Sequence, residues 1–423
     1  MQKDREKRGG TAPGGGRRAR HFAYLLLFLL TTISYIDRTT LSVAAPSIAE
    51  EFGLSPVETG YLLSSFLWTY VLALVPVGIW VDRSGARLVA ASGVALWSFA
   101  TVLAGFVHSF AALLVSRLAL GAGESTAYPA GMRVVRDLAP PEERGLATAF
   151  LNGGSYAGPA LGALLTGALI ASFGWRFGFI VLGGAGFLWL VPWLLFYRGS
   201  SEALHPSPSV TEPDGTVSSE QAAGLGALLA KRATWATALT QGCAVYAQYF
   251  FLTWLPSYLH DVKGFDIQAT GLYTAIPYAA SVVFSLAICR LSDRLLRRGD
   301  TGKGQRRYMV GAMMLLSSAV LLTPFADSVG TIILLVSLSL TGISSAISLN
   351  FALSSDLLET SRDSGKAASI LVVGGNIFGF LAPIATGYVI EFSGSYNGAF
   401  TIAGVLLLIG AISVVSLATV RRR

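Results

Sequence analysis

Hydrophobic and polar positions alternate along this chain on the scale of a whole membrane-spanning helix. Apolar stretches of about 20 residues, enough to cross the hydrocarbon core of a bilayer, are separated by short polar or charged segments. Twelve such stretches are present, at 22–45, 57–80, 88–107, 109–131, 144–172, 176–197, 233–259, 267–290, 308–326, 329–354, 366–391 and 397–418. The pattern therefore predicts an all-α membrane protein with twelve transmembrane helices.

The composition supports this interpretation. The chain is 53% hydrophobic and only 13% charged, with a mean hydropathy of +0.59, whereas soluble domains carry about a quarter charged residues. The first apolar run is too long, and too polar at its end, for a cleaved signal peptide, so we expect it to remain as a helix. Both cysteines, Cys243 and Cys289, fall in predicted spans, so no disulfide framework is predicted.

The distribution of charge predicts the topology. The net charge is +7, but the Lys and Arg residues concentrate on one side of the membrane when both termini are placed in the cytoplasm. This asymmetry is the positive-inside rule, and it argues against a nucleic-acid partner. We expect residues 1–20 to form a disordered basic tail on the anionic inner leaflet.

The chain divides into two similar halves. A Ser-, Pro- and Gly-rich segment, 198–231, is typical of a flexible cytoplasmic linker, and it separates bundles at 21–197 and 232–420. "GIWVDRSGAR" (78–87) recurs weakly 211 residues later, and "GGSYAG" (153–158) recurs as "GGNIFG" 221 residues later. Small-residue motifs recur in any helical bundle, but glycine and charge repeating together favour two pseudo-symmetric six-helix bundles with a substrate site between them.

These motifs resemble those of the major facilitator superfamily, and more narrowly its anion:cation symporters. That family includes bacterial sugar-acid transporters and the animal vesicular glutamate and sialic-acid carriers. The resemblance covers nearly the whole chain apart from the tails and linker. Its strongest motifs are "YIDRTTLSVAAPSIAEEFGLS", "SSFLWTY", "RLALGAGESTAYPA", "PPEERGLATAFLNGGS", "FLTWLPSYL" and "GGNIFGFLAPIATGY".

Four ionisable residues lie within predicted spans of the first half: Asp37, Arg38, Arg117 and Glu124. An ionised side chain at the bilayer centre costs about 2.5–3.5 kcal/mol even on insertion scales. One interpretation is structural, with Asp37 paired to Arg117 or Arg38 to Glu124, although desolvation commonly cancels the gain from such pairs. The other is functional: the arginines bind an anion through their bidentate fork, and the carboxyls exchange protons.

The resemblance implies the functional interpretation, with Arg38 and Arg117 binding or gating the anion and Asp37 and Glu124 carrying the proton. Tyr35, Tyr70 and Asn376 match positions that hydrogen-bond sugar-acid hydroxyls. Ser155 stands where sugar-acid importers often have glutamine, and its shorter side chain makes a hydroxyl-rich cargo less certain. Gln248 is a further candidate, because an amide buried in lipid needs a partner.

The segment "GIWVDRSGAR" matches the family motif that locks the cytoplasmic gate. It supplies Asp82 and Arg83, and Arg144 is a candidate partner for Asp82. Asp82 is also placed to attract the N-terminus of a helix across the interface between the halves.

The sequence as a whole predicts a secondary active transporter that imports a small organic anion, such as a sugar acid, together with protons by rocker-switch alternating access. An exporter or anion exchanger of the same superfamily is the alternative. No histidine falls mid-span and no metal-ligand spacing or nucleophile elbow appears, so we expect no enzymatic activity and no cofactor besides the coupling proton. We expect a multi-pass monomer in a bacterial inner membrane.

Overall fold

The computed structural model describes residues 17–140, 143–197, 225–298, 305–358 and 363–418, and these residues are helical apart from short connections. The first half contains α1 (Arg17–Phe52), α2 (Pro56–Ala104), α3 (Phe110–Glu124), α4 (Ala127–Leu138), α5 (Arg144–Phe173) and α6 (Trp175–Phe196). A short α7 (Leu225–Leu229) precedes the second half, which contains α8 (Arg232–Asp261), α9 (Ile267–Arg298), α10 (Arg306–Ser317), a 3-10 helix (Ser318–Phe325), α11 (Val329–Asp356), α12 (Ser364–Ser393) and α13 (Asn397–Leu417). Within the described ranges, nine helices are long and apolar enough to cross a membrane.

Several predicted boundaries were wrong. Helix α2 holds two predicted spans, and only Gly85, with φ of 78°, breaks its helical backbone. The fourth predicted span is two helices, α3 and α4, interrupted at Ser125 and Thr126. Helix α1 begins at Arg17, so residues 17–20 are helical and do not belong to a disordered tail. The remaining predicted tail, 1–16, and most of the predicted linker, 198–224, lie outside the described residues.

Serine caps begin matching helices in the two halves. The Ser109 side chain accepts from the Ala112 amide at the start of α3, and Ser328 accepts from the Thr331 amide at the start of α11. Both satisfy amides that the first turn of a helix leaves without an intrahelical partner. The two caps therefore mark α11 as the structural counterpart of the helix that carries Arg117 and Glu124.

The halves meet through glycines at the face that contains the α1–α2 and α8–α9 connections, which we call the outer face because the charge pattern predicts cytoplasmic termini. A Cβ on Gly60 of α2 would lie 2.6 Å from the Pro383 carbonyl oxygen of α12. A Cβ on Gly271 of α9 would lie 2.5 Å from the Ala163 carbonyl oxygen of α5. Gly60 and Gly271 are separated by the same 211 residues as the sequence repeat. The two contacts are thus equivalent, and they bring the helix backbones together at this face.

Small residues also position the wall of helix α1 that carries the charges. Gly154 and Gly158 of α5 pack on the α1 backbone at Thr32 and on the Tyr35 side chain. Gly121 of α3 packs on the Phe66 carbonyl of α2. This close packing, typical of membrane helix interfaces, brings α1, α2 and α3 together around the buried charges.

Candidate substrate and proton site

Arg38 and Glu124 form an ion pair in the interior of the first half. The Arg38 Nε donates to Glu124 Oε2 at 2.9 Å, and Nη2 lies 2.9 Å from the same oxygen. The Arg38 side chain is 4% exposed and that of Glu124 is not exposed. Two charge-assisted contacts at this depth are much stronger than a surface ion pair.

Aromatic rings surround the rest of the Arg38 guanidinium. Its Cζ lies 4.5 Å from the Tyr35 ring centroid, 4.8 Å from that of Phe66 and 5.3 Å from that of Tyr70. Ring faces attract a desolvated cation. The aromatic residues therefore hold the guanidinium in place, and this confirms the predicted shared face of Tyr35 and Arg38.

Tyr249 of α8 connects this site to the second half. Its hydroxyl accepts from Arg38 Nη1 at 3.2 Å, and its ring stacks on Phe66 at a centroid distance of 6.3 Å. Sequence reasoning favoured the neighbouring Gln248 and missed Tyr249 and Phe66. A signal was present, because Tyr249 lies 211 residues after Arg38, the spacing of the charged repeat. Residues at equivalent positions on the two halves can meet near the axis that relates them.

Asp37 and Arg117 are buried beside this pair without hydrogen-bond partners among the described residues. Asp37 is 0% exposed and Arg117 is 1% exposed. Both Asp37 oxygens, all three Arg117 nitrogens and Glu124 Oε1 are unsatisfied by the protein. Most buried polar atoms in proteins are hydrogen-bonded, and a cluster of exceptions is typical of a functional site.

The two interpretations of these charges can now be compared with the geometry. The Arg38–Glu124 pair of the structural interpretation is present, whereas no hydrogen bond joins Asp37 to Arg117. The structural pairing therefore accounts for only half of the cluster. The other half leaves a carboxylate and a guanidinium with hydrogen-bonding capacity for a ligand or a proton.

The second half carries no matching charges in these positions. When the capped starts of α3 and α11 are superposed in sequence, Arg117 corresponds to Val336 and Glu124 to Ile343, and both are buried apolar residues. The ionisable groups are therefore confined to one side of the pseudo-symmetric pair of bundles.

The remaining predicted binding residues lie around this centre at partly exposed positions. The Ser155 hydroxyl donates to the Asn152 carbonyl at 2.7 Å, and Tyr128 interacts with Ser155. Gln248 and Asn376 are partly exposed and make no side-chain hydrogen bond to another described residue. Gly379, one turn from Asn376, packs on the Tyr249 ring. Their role in binding stays a prediction.

The predicted contact between Asp82 and Arg144 was wrong. Asp82 lies 3.4 Å from Arg133 and 3.9 Å from Arg136, both on α4, because α2 and α4 end side by side at the inner face. Arg144 donates to the Ala139 carbonyl at 3.4 Å, and Arg83 is exposed. The observed Asp82 contacts lie within the first half, and the gating role of these residues stays a prediction.

A second polar cluster joins α1 to the start of α5 at the inner face. Glu143 accepts from Arg20 at 3.3 Å and from the Tyr24 hydroxyl at 3.1 Å. The hydrogen bond from Arg20 lowers the pKa of the Glu143 carboxyl below its usual value, and the bond from Tyr24 adds to this effect. Sequence reasoning did not identify this contact.

Comparison with known proteins places the chain in a family. The model of the Major Facilitator Superfamily matches residues 27–301 and 266–423. The chain belongs to this superfamily. This confirms the resemblance drawn from the motifs, and the chain is accordingly a multi-pass membrane transporter and not an enzyme.

The similar proteins are bacterial transporters of organic acids. The chain is 31% identical to the probable galactarate/D-glucarate transporter of Bacillus subtilis (strain 168), covering 95% of this chain and 94% of that protein. It is 32% identical to the probable sulfoacetate transporter of Cupriavidus necator, covering 94% and 93%, and 31% identical to the probable L-galactonate transporter of Escherichia coli (strain K12), covering 95% and 90%.

A solved structure supports the fold. A bacterial homolog of the human lysosomal transporter Spinster, in an inward-facing and unoccupied conformation, superposes with a TM-score of 0.74 at 20% identity and covers 96% of both chains. At this identity the likeness shows the fold alone.

Proposed function

We propose that this transporter is a proton-coupled symporter that imports a small organic anion. The observation that carries the proposal is the buried Arg38–Glu124 ion pair, with Asp37 and Arg117 unsatisfied beside it. An arginine at this depth offers a fixed positive charge to an anion. Buried carboxyls offer protonation sites, because burial favours their neutral form and a nearby arginine favours their charged form.

Competition for Arg38 supplies a physical route to coupling. Glu124 Oε2 occupies the Nε–Nη2 edge of the guanidinium, and the Tyr249 hydroxyl occupies one Nη1 position. A carboxylate cargo that binds Arg38 competes with Glu124 for the same donors. Once Glu124 loses its cation, its neutral form is favoured, so arrival of the anion promotes uptake of a proton.

The relatives favour an anion class rather than one cargo. Two proteins of nearly equal identity to this chain are named for galactarate/D-glucarate and for sulfoacetate. These molecules differ in size and hydroxyl content, and they share negatively charged groups. We therefore propose an organic acid, with sugar acids as the first candidates and a sulfonate next, a choice in keeping with the short Ser155 side chain.

The proposed transport cycle rocks one bundle against the other. The glycine contacts of Gly60 and Gly271 hold the outer face together, and we propose that Asp82, Arg83 and Arg144 act in closing the inner face. Both termini would then be cytoplasmic in a monomer of the bacterial inner membrane. The protein would need no cofactor besides the coupled proton.

A direct test combines binding with transport. Purified protein is screened by thermal shift against sugar acids, dicarboxylates, sulfonates and aromatic acids, since a ligand that binds the folded state raises its melting temperature. The best ligand is then tested on Arg117→Ala, which should lose the shift. Arg176→Ala is the matched control, because Arg176 also pairs with a glutamate in the first half, Glu51, but does so at the surface.

The transport outcomes separate the proposed symport from its alternatives. Accumulation of the ligand in proteoliposomes under an inward proton gradient supports symport. Counterflow without such accumulation would instead favour an anion exchanger, and proton-driven efflux an exporter. Wild-type affinity in Arg117→Ala would overturn the anion site itself.

A further inference from the structure

A cavity of about 760 Å³ opens at the outer face between the two halves. The first half contributes the ends of α1 and α2, and the second half contributes α8, the 3-10 helix and the α12–α13 connection. Cavities of this size hold small organic molecules. Arg38, Asp37, Arg117 and Glu124 do not line it, so it is separate from the proposed cargo site.

Aromatic side chains form one wall of this outer cavity. The rings of Trp254 and Tyr396 pack edge to face at a centroid distance of 6.1 Å, and those of Tyr258 and Tyr396 at 5.5 Å. All three residues line the cavity and are at most 7% exposed. Such rings present electron-rich faces that attract organic cations.

Carboxylates surround the aromatic wall. Glu50, Asp261 and Asp327 line the cavity and are exposed. The Tyr396 hydroxyl donates to Asp261 Oδ2 at 2.7 Å, and burial raises the pKa of Tyr396, so this hydroxyl keeps its proton. Lys263 is the opposing cation in the lining. Three carboxylates against one ammonium leave the cavity negative while His260 is neutral.

Two further groups supply acceptors for an amine. The Thr323 side chain is 1% exposed and lines the cavity, and its hydroxyl oxygen has no hydrogen-bond partner in the described part of the chain. His260 Nδ1 lies 2.7 Å from the Phe265 carbonyl oxygen. A carbonyl can only accept, so Nδ1 carries the proton, and Nε2 of the neutral ring is left as an acceptor.

We propose that the outer cavity is a binding site for small organic amines, a class of ligand opposite in charge to the proposed cargo. Ammonium groups would lie among Glu50, Asp261 and Asp327, with the carbon chain against Trp254 and Tyr258. Buried acceptors, aromatic faces and an excess of negative charge all favour a cation over an anion here.

Occupancy of this site would act on the transport cycle. The Trp254 indole N–H donates to the Pro383 carbonyl at 3.0 Å, and this carbonyl also faces Gly60 at the outer contact between the halves. A ligand that bridges Glu50 of the first half and Asp327 of the second would hold this arrangement together. An amine would therefore slow transport without competing for the cargo site.

The test uses 1,5-diaminopentane, with 1,5-pentanediol as the uncharged control of the same length. Isothermal titration with the purified full-length protein should give saturable binding of the diamine and none of the diol. Glu50→Gln and Asp327→Asn should each weaken binding about threefold, and the double variant about tenfold, in line with exposed ion pairs. None of these measurements depends on the identity of the cargo.

Asp266→Asn is the matched control variant. Asp266 is another acid of the outer face, and its side chain accepts from the Ala269 amide at the start of α9. Asparagine caps a helix as well as aspartate does, so this variant removes one outer charge and keeps the fold. It should bind the diamine as the wild type does.

Three outcomes would overturn the proposal. Equal binding of diol and diamine would show that charge is not recognised. An equal loss of affinity in Asp266→Asn and Glu50→Gln would show a general surface potential in place of a site. Saturable binding of an organic anion that is lost in Lys263→Gln would assign the cavity to the cargo.

Discussion

Replacement of Glu124 by glutamine gives the sharpest prediction for the coupling mechanism. The change keeps an oxygen near Arg38 Nε and Nη2, which now contact Glu124 Oε2 at 2.9 Å, but it removes the charge and the protonation site. Breaking a buried ion pair by removing one partner costs about 3–5 kcal/mol. Because glutamine keeps an acceptor, we expect a loss of about 3 kcal/mol, so the variant should fold with a lower melting temperature.

The effect on transport can be worked out separately. One proton coupled to one anion converts each pH unit of gradient into about 1.4 kcal/mol, a tenfold accumulation. In proteoliposomes without a membrane potential, wild-type protein should approach this ratio. Glu124→Gln should give a ratio of about one while still exchanging labelled for unlabelled anion, since the arginines are intact.

The control is Glu143→Gln, which removes another glutamate–arginine contact of the first half, at the inner face. It should accumulate the anion as the wild type does. If Glu124→Gln also accumulates the anion about tenfold per pH unit, Glu124 is not the coupling residue and the competition mechanism fails.

Four other changes test the remaining contacts. Tyr249→Phe removes the hydroxyl that accepts from Arg38 across the halves; for a link of about 1 kcal/mol, the population of the outward-open state should rise about fivefold, measured by thiol labelling of a cysteine placed in the outer cavity. Gly60→Val places a Cβ against the Pro383 carbonyl, so the same labelling should increase and transport should stop. Asn350→Leu removes hydrogen bonds of 2.9 and 3.0 Å between α11 and α8 and should lower stability by about 1 kcal/mol, measured by unfolding in detergent. The pKa of Glu143 is lowered, so its contribution to stability is present above its unfolded pKa and is lost as the pH falls through the folded value; wild type and Glu143→Gln should converge in melting temperature only under acid conditions.

Much of the fold could be predicted because membranes impose simple rules. A backbone in lipid must satisfy its hydrogen bonds within a helix, so apolar stretches of sufficient length identify most of the helices. The family motifs identified the superfamily, and the cost of buried charge singled out Asp37, Arg38, Arg117 and Glu124 as the chemical centre. These conclusions depend on local composition and spacing, which the linear chain carries.

The pairing of these groups was decided only by the tertiary structure. Spacing places Arg38 and Glu124 on their helices, but the rotation and approach of α1 and α3 determine that they pair while Asp37 and Arg117 do not. The same is true of Tyr249, which reaches Arg38 because equivalent positions of the two halves converge, and of Asp82, which lies beside α4 and not beside Arg144. Such contacts depend on small residues, among them Gly121 and Gly158, that set the distance between helices. Hydropathy reports how deep a residue lies, whereas the partner of a charge depends on how closely the helices pack.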